Sequence, residues 1–446
     1  DVIEGAALNE GRVEKRAGLA SAVASLITLS TGGSTGREGP VVHLAAVISS
    51  WVSNRLHASG ITGRDLLGCA VAGAVSASFN APIAGALFAL EVILRHFAVH
   101  AFAPIAIAAV AGTVINRLEF GDVTEFTLAA EGALSFYVEL PAFVLLGCLC
   151  GLIAVLMMRT IFMADDFGTW VVEKIHLPPV FRPALAGVLL GLLAIVFPHV
   201  IGVGYETTSA ALTGKLLIWQ AILFTVIKVA AVAITMAGRM GGGVFSPALM
   251  VGAMTGLAFG LIATAVFPDV SGTVTLYALA GMGAVAAAVL GAPISTTLIV
   301  FELTGDWQTG LAVMVAVSLS TAIASKLVDR SFFLTLLERR GVHLAAGPQA
   351  YLLATVRVHQ CYRAPDAVRA ASEKDCKDLI SKGIYISPNA TLETAMPMFE
   401  AHNLVFIPVV TLRDDTGPEL HGALFQVDAL RVFSKALADT AAEEHS

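Results

Sequence analysis

Two short stretches decide the fold of this chain, GREGP at residues 36–40 and GVFSP at residues 243–247. Each stretch joins glycine to proline and is followed by an apolar segment. Proline is favoured at the first position of a helix, where its missing N–H costs nothing, and glycine lets the chain enter without a side-chain clash. The stretches therefore predict two helices that begin at Pro40 and Pro247.

A second pattern accompanies both stretches. The sequence API at 81–83 is followed eight positions after its isoleucine by Glu91, and API at 292–294 is followed at the same distance by Glu302. The chain thus carries the same two-part pattern twice. Internal repeats with glycine- and proline-interrupted apolar segments at matching positions indicate the binding site of a transporter. We therefore expect this chain to move a small ion across a membrane.

The composition agrees with a membrane protein. The 446 residues are 56% hydrophobic and only 14% charged, whereas soluble proteins carry about a quarter charged residues. Several apolar runs are too short to cross a bilayer simply, which predicts tilted, broken or re-entrant helices. Basic residues bracket the end of the last run, which predicts that this end is cytoplasmic. The runs fall at 17–31, 40–54, 67–94, 97–116, 135–161, 183–203, 213–238, 244–267, 273–303 and 309–328, and the basic residues are Lys326, Arg330, Arg339 and Arg340.

Composition and spacing argue against other classes. The formal net charge is −7 without a basic stripe, so we expect no nucleic-acid partner. The sequence has no Ser/His/Asp, paired-carboxylate or metal-ligand pattern, so we expect no enzyme, no metal and no cofactor other than a bound chloride. The five cysteines are expected to be small buried hydrophobic residues; they are Cys69, Cys148, Cys150, Cys361 and Cys376.

The two glycine–proline helices predict an anion site. The start of a helix presents unpaired N–H groups and the positive end of the helix dipole. Two such ends that meet near the membrane midplane can hold an anion without lysine or arginine. Glu38 lies within this predicted site, where its carboxylate can compete with the permeant anion. Protonation or displacement of Glu38 would then open the path.

The chain changes character after about residue 340. Residues 345–446 are polar and have an ordinary globular composition. The pattern predicts a strand at 384–386, a helix that starts near Asn389–Thr391, strands at 405–410 and 420–425, and a helix at 427–438. This part reads as a small α/β unit on the cytoplasmic side.

These motifs resemble the CLC family of chloride channels and chloride/proton antiporters. Besides the two glycine–proline stretches, FNAP at 79–82 leading to FALE at 88–91 and VFELTG at 300–305 look like that family's motifs. The resemblance implies an all-α polytopic membrane protein with inverted-topology repeats and re-entrant or broken helices. It also implies a homodimer in membrane lipid, with one path per subunit for chloride or a similar small anion.

The resemblance assigns roles to individual residues. Glu38 matches the family's gating glutamate, and the amides of Gly39, Val244, Phe245 and Ser246 match its backbone donors to chloride. The family's chloride-contacting serine segment is expected just before Asp1.

Three positions depart from the family pattern or leave their role open. Phe333 stands at the best match to the tyrosine whose hydroxyl faces the anion, and we expect it either to line the path or to pack simply. Val92 replaces the second glutamate of the antiporters, as in the family's channels. The adjacent Glu91 is expected to cap or pair structurally, with a proton role as the alternative.

The polar C-terminal part resembles a CBS domain. Phe425 stands where adenosine-binding copies have serine or threonine three residues before Asp428, so we expect a structural or dimerising role and no bound nucleotide. The predicted division is a CLC-type transmembrane domain at 1–340, a linker or degenerate CBS remnant at 341–375, and a CBS-like domain at 376–440. The leading hypothesis is a chloride channel gated by Glu38. The rivals are a chloride/proton antiporter and a non-transporting membrane sensor that signals through the CBS-like domain.

Overall fold

The computed structural model describes most of the chain and divides it into two compact units. The described residues are 1–58, 60–95, 97, 99–121, 126, 136–176, 178–342, 353, 356–367, 369–413 and 417–444. The first unit is Asp1–Arg340, and the second is Gly341–Ser446.

The described part of the first unit is helical. Its α-helices are α1 Val2–Leu8, α2 Lys15–Ser30, α3 Glu38–Leu56, α4 Gly60–Phe79, α5 Pro82–Phe88, α6 Val99–Phe120, α7 Phe136–Lys174, α8 Arg182–Val196, α9 Tyr205–Leu212, α10 Ile218–Ala237, α11 Phe245–Val266, α12 Val274–Leu290, α13 Pro293–Thr304, α14 Trp307–Leu327 and α15 Phe332–Arg339. A π-helical turn, Ala89–Leu94, extends α5, and short 3-10 turns occupy Pro179–Phe181 and Pro198–Val200. Within the described residues, six helices are long and apolar enough to cross a membrane.

The two halves of this unit repeat one order of helices. The segment α2–α6 and the segment α10–α14 each contain a helix before the glycine–proline stretch, a helix that begins inside it, a third helix, a short helix and a long one. Both short helices, α5 and α13, begin at the proline of the API motif. The duplicated sequence pattern thus corresponds to duplicated structure.

The predicted helix starts at Pro40 and Pro247 were wrong by two residues. α3 begins at Glu38 and α11 begins at Phe245, so each proline is the third residue of its helix. The N–H groups of the whole first turn have no intrahelical acceptor, so proline is tolerated throughout that turn. The shift places Glu38 at the first position of α3.

Two long apolar runs, which the sequence analysis gave as single runs, are broken at matching points. The run 67–94 breaks at Asn80, and the run 273–303 breaks at Gly291. Both break residues have the left-handed backbone conformation, with φ of 55° at Asn80 and 71° at Gly291. Asparagine and glycine are the residues that adopt this conformation most readily. Each break turns the chain into the short helix that follows.

The core of the second half is a close crossing of α11 and α12. A Cβ atom added at Gly252 would lie 2.3 Å from the carbonyl oxygen of Gly281, and one added at Gly256 would lie 2.1 Å from that of Tyr277. Only residues without a side chain allow the two backbones to approach this closely. The crossing holds the start of α11 in a fixed position.

The second unit is a small α/β structure. Its elements are α16 Glu373–Ser381, α17 Leu392–His402, strands β1 Phe406–Arg413 and β2 Gly417–Phe425, and α18 Gln426–Glu444, with a 3-10 turn at Val358–Gln360. β1 and β2 pair antiparallel, and Ile386 forms a parallel bridge with Val409. The elements predicted between 384 and 438 are therefore present, and the predicted strand at 384–386 is reduced to this bridge.

The core of the second unit draws on a wider stretch than 376–440. Val356, Val358 and Cys361 are buried in the same cluster as Leu392 and Ile407. Burial, together with the nearby carboxylate of Asp428, raises the pKa of the Cys361 thiol to about 11. The identity of this unit as a CBS-like domain, and of 341–375 as a remnant, stays a prediction.

Candidate functional site

The two glycine–proline stretches lie side by side and are joined through their backbones. The N–H of Gly36 donates to the carbonyl of Gly243 at 2.7 Å, and the N–H of Gly243 donates to the carbonyl of Gly36 at 2.9 Å. The hydroxyl of Thr35 also donates to the Gly243 carbonyl at 2.8 Å. This antiparallel bridge ties together the first turns of α3 and α11, which are separated by about half the chain.

Close packing explains why glycine surrounds the bridge. A Cβ atom added at Gly243 would lie 3.3 Å from the backbone nitrogen of Gly39. Gly242 has a φ of +142°, and a Cβ atom there would lie 2.0 Å from the hydroxyl oxygen of Thr35. The sequence needs glycine at 242 for its backbone conformation and for the space.

Glu38 is buried where the two helices begin. Its side chain is 6% exposed. Its Oε1 accepts hydrogen bonds from the hydroxyl of Ser246, on the first turn of α11, and from the hydroxyl of Tyr205 at 3.3 Å. A Cβ atom added at Gly36 would lie 2.5 Å from Oε2, so Gly36 makes room for the second carboxylate oxygen. Ser246 of the second repeat and Tyr205 of α9 thus hold the glutamate of the first repeat.

Tyr205 is a site residue that the sequence analysis missed. It begins α9, 167 positions from Glu38. Its ring packs edge-to-face against Phe126 at 5.3 Å, and the guanidinium of Arg37 lies 5.3 Å from its centre. The sequence feature that could have identified Tyr205 is a single tyrosine that follows a glycine-rich turn in an apolar region.

The fully buried Lys228 holds the segment that leads to Tyr205. Its Nζ donates to the carbonyl of Gly202 at 2.9 Å and to that of Val200 at 3.3 Å. A buried ammonium group needs such partners to offset the loss of water. Lys228 therefore fixes the position of Tyr205 from α10.

A cavity of about 230 Å³ opens beside Glu38. Five of the residues predicted for the anion site line it, namely Glu38, Gly39, Val244, Phe245 and Phe333. Ser246 reaches the site through its hydrogen bond to Glu38. The first-turn amides of α3 and α11 have no intrahelical acceptor and form the positive end of each helix dipole. Chemically, the arrangement can hold a small anion on backbone N–H groups.

Aromatic and aliphatic side chains form the rest of the cavity wall. The ring of Phe245 packs edge-to-face on Phe79 at 5.1 Å. Phe333 is half-buried on the first turn of α15 and contacts the ring of Phe332 at 5.8 Å. Val92, on the π-helical turn, also lines the cavity. The lining near Glu38 is thus apolar at the two positions where the resemblance expects a hydroxyl and a second carboxylate.

Glu91 does not point into this cavity but caps α13. Its Oε1 accepts from the N–H of Ile294 at 2.9 Å, and its Oε2 accepts from the N–H of Ser295 at 2.7 Å and from the Ser295 hydroxyl at 2.8 Å. A carboxylate at a helix N-terminus is stabilised by these donors and by the dipole. The geometry favours the structural role over the proton role.

Glu302 makes the reciprocal cap on α5. It accepts from the N–H of Ile83 at 2.9 Å and from that of Ala84 at 2.7 Å. Each repeat therefore supplies a glutamate that caps the short helix of the other. This exchange gives a physical reason for the duplicated API pattern and its glutamate, which the sequence analysis found without their partners.

Comparison with known proteins places this geometry in a family. The family model for the voltage gated chloride channel matches residues 1–325. A ClcB-like chloride channel protein of Ralstonia nicotianae is 33% identical over 321 residues, which cover 71% of this chain and 73% of that protein. The voltage-gated ClC-type chloride channel ClcB of Escherichia coli O157:H7 is 30% identical over 332 residues, which cover 73% of this chain and 76% of that protein.

Solved structures share the fold. A slow cyanobacterial Cl⁻/H⁺ antiporter superimposes with a TM-score of 0.68 at 23% identity and covers 76% of this chain and 80% of its own. A eukaryotic CLC transporter superimposes with a TM-score of 0.61 at 20% identity, and the match covers 89% of this chain and 77% of that transporter. The chain is a multi-pass membrane protein of inverted helical repeats. It belongs to the CLC family of voltage-gated chloride channels, and the predicted fold class is confirmed.

Proposed function

We propose that this chain conducts chloride or a similar small anion passively, along a path that Glu38 gates. The convergence of Glu38, Gly39, Val244 and Phe245 on one cavity carries this proposal. The negative carboxylate of Glu38 competes with the anion for the positive helix ends. Protonated Glu38 competes weakly, so the path opens.

The proposed donors to the anion are backbone N–H groups rather than cationic side chains, which suits conduction. Backbone dipoles bind an anion firmly enough for it to reach the site and weakly enough for it to leave. Gly39, Val244, Phe245 and Ser246 supply the backbone donors in this proposal, and Phe333 lines the path. The chain works as a homodimer in lipid, and its second unit is a cytoplasmic domain that binds no nucleotide.

The rival within the family is a chloride/proton antiporter, and solved structures of similar fold include such antiporters. A coupled exchanger needs a route for protons to Glu38. Val92 lines the cavity where the antiporters have a glutamate, and Glu91 is engaged with α13. These two observations favour the passive channel.

The gating role is tested by chloride efflux from liposomes at saturating chloride between pH 5.5 and pH 8, with equal pH on both sides. Wild-type efflux should rise as the pH falls, because protonation releases the carboxylate. Glu38→Gln should remove most of this dependence and conduct at every pH. Glu206→Gln, an exposed carboxylate beside Tyr205, is the matched control and should behave as wild type. An unchanged pH response in Glu38→Gln would refute the assignment.

A further inference from the structure

A buried imidazole shares the cavity with Glu38. His43 lies on α3 beyond Glu38, is only 7% exposed, and lines the same cavity as the backbone donors of the proposed anion site. No role for it follows from the repeat pattern. Among the described residues that line the cavity, His43 is the one histidine.

The ring of His43 is tightly enclosed but has an unused nitrogen. A Cβ atom added at Gly18 of α2 would lie 3.3 Å from its Cδ2 atom, so α2 covers the ring closely. Among the residues that the structure describes, Nε2 has no hydrogen-bond partner. The nearby carboxylate of Asp1 stands 3.9 Å away, beyond hydrogen-bond distance. The nitrogen can therefore take up a proton, in which case Asp1 lies within ion-pair range, or donate to a ligand.

Few charges face this ring. Asp1 approaches from the start of α1, and Arg340, just after α15, pairs with Asp1 at 3.1 Å. Glu38 is the third charged side chain of the cavity lining, whereas α2 contributes the uncharged Ser21 and Ser25. The side chains alone carry one net negative charge when His43 is neutral, and the α-amino group of Asp1 adds a positive charge that also acts on the ring. Protonation of His43 adds one further positive charge to the cavity.

We propose that His43 is a second titratable element of the anion site, whose imidazolium form strengthens anion binding in the cavity. This inference rests on the proposed function, and it adds a regulator separate from the gate. Imidazoles ordinarily change charge between pH 5 and pH 8. An added positive charge within the same small cavity, which has largely apolar walls, attracts an anion more strongly than it would in bulk water. Anion occupancy should therefore rise as the pH falls, whether or not Glu38 can titrate.

The test first removes the titratable carboxylate of Glu38, so that any remaining pH dependence comes from another group. In the Glu38→Gln background, chloride efflux at low chloride should still rise on the order of fivefold between pH 8 and pH 5.5, with equal pH on both sides. Adding His43→Gln should abolish this remaining dependence. Adding His57→Gln instead, an exposed histidine that ends the same helix, should leave it intact.

A binding measurement keeps the proposal falsifiable if one variant reconstitutes poorly. Calorimetric titration of detergent-solubilised protein with chloride at the two pH values should show the same His43-dependent difference, and His43→Asn is the second variant. A pH dependence that survives loss of His43 in efflux or in chloride binding would overturn the inference. Absence of any chloride flux through the Glu38→Gln protein would instead refute the proposed function.

Discussion

The two helix starts in the glycine–proline stretches share one backbone geometry and differ in one side chain. α3 and α11 both begin at the third residue of a glycine–proline stretch, and their glycines bridge each other. The first helical residue is Glu38 in one half and Phe245 in the other. Hydroxyl groups hold Glu38, whereas Phe245 packs on the ring of Phe79. In the proposed function, the shared backbone geometry supplies the anion site, and the first side chain decides which half carries the gate.

The largest expected effect tests the shared backbone. Gly242→Ala should destabilise the protein by about 3 kcal/mol, because alanine is strained at a φ of +142° and its Cβ would collide with the Thr35 hydroxyl. Thermal unfolding in detergent measures the change. Gly187→Ala on α8, where a Cβ atom meets nothing within 4 Å, is the control and should leave the melting temperature unchanged or slightly higher. Equal effects of the two changes would show that the bridge is not a tight constraint.

The reciprocal caps test whether the halves are energetically equivalent. Glu302→Gln and Glu91→Gln should each cost about 2 kcal/mol, since the amide keeps one acceptor and leaves one helix N–H without a charged partner. The loss should be larger for Glu91, which also accepts from the Ser295 hydroxyl. The same unfolding assay compares them with Glu119→Gln, an exposed glutamate on α6. A loss of stability in only one of the two variants would contradict the equivalence of the two caps.

The smallest expected effect concerns the aromatic wall. Phe333→Tyr adds a hydroxyl at a half-buried cavity position and should strengthen chloride binding by about 1 kcal/mol. Calorimetric titration with chloride measures the affinity, and a melting curve reports the packing. Lower stability together with unchanged affinity would mean that Phe333 only packs in the bundle.

Sequence patterns predicted the repeated elements because glycine, proline and hydrophobicity act locally. The API motifs marked the two short helices, whereas the breaks at Asn80 and Gly291 lay inside runs that the sequence analysis left undivided. The exact starts of α3 and α11 could not, because a first turn accepts proline at several positions.

The contacts between the site residues could not be predicted from the sequence. Tyr205 meets Glu38 across 167 positions, and Glu91 meets Ser295 across 204. Such pairs depend on how the two repeats pack, which no local pattern encodes. His43 shows the same limit, because only the folded cavity relates it to Glu38.

Chloride-driven proton movement tests the central claim most directly. Wild-type protein in liposomes, with an outward chloride gradient, should release chloride while the internal pH stays constant once the membrane potential is clamped. Val92 offers no titratable group beside the cavity, and Glu91 is engaged with α13, so no side chain on this turn is placed to relay protons to Glu38. Uphill proton uptake that Glu38→Gln abolishes would contradict the passive gate and identify the protein as an antiporter.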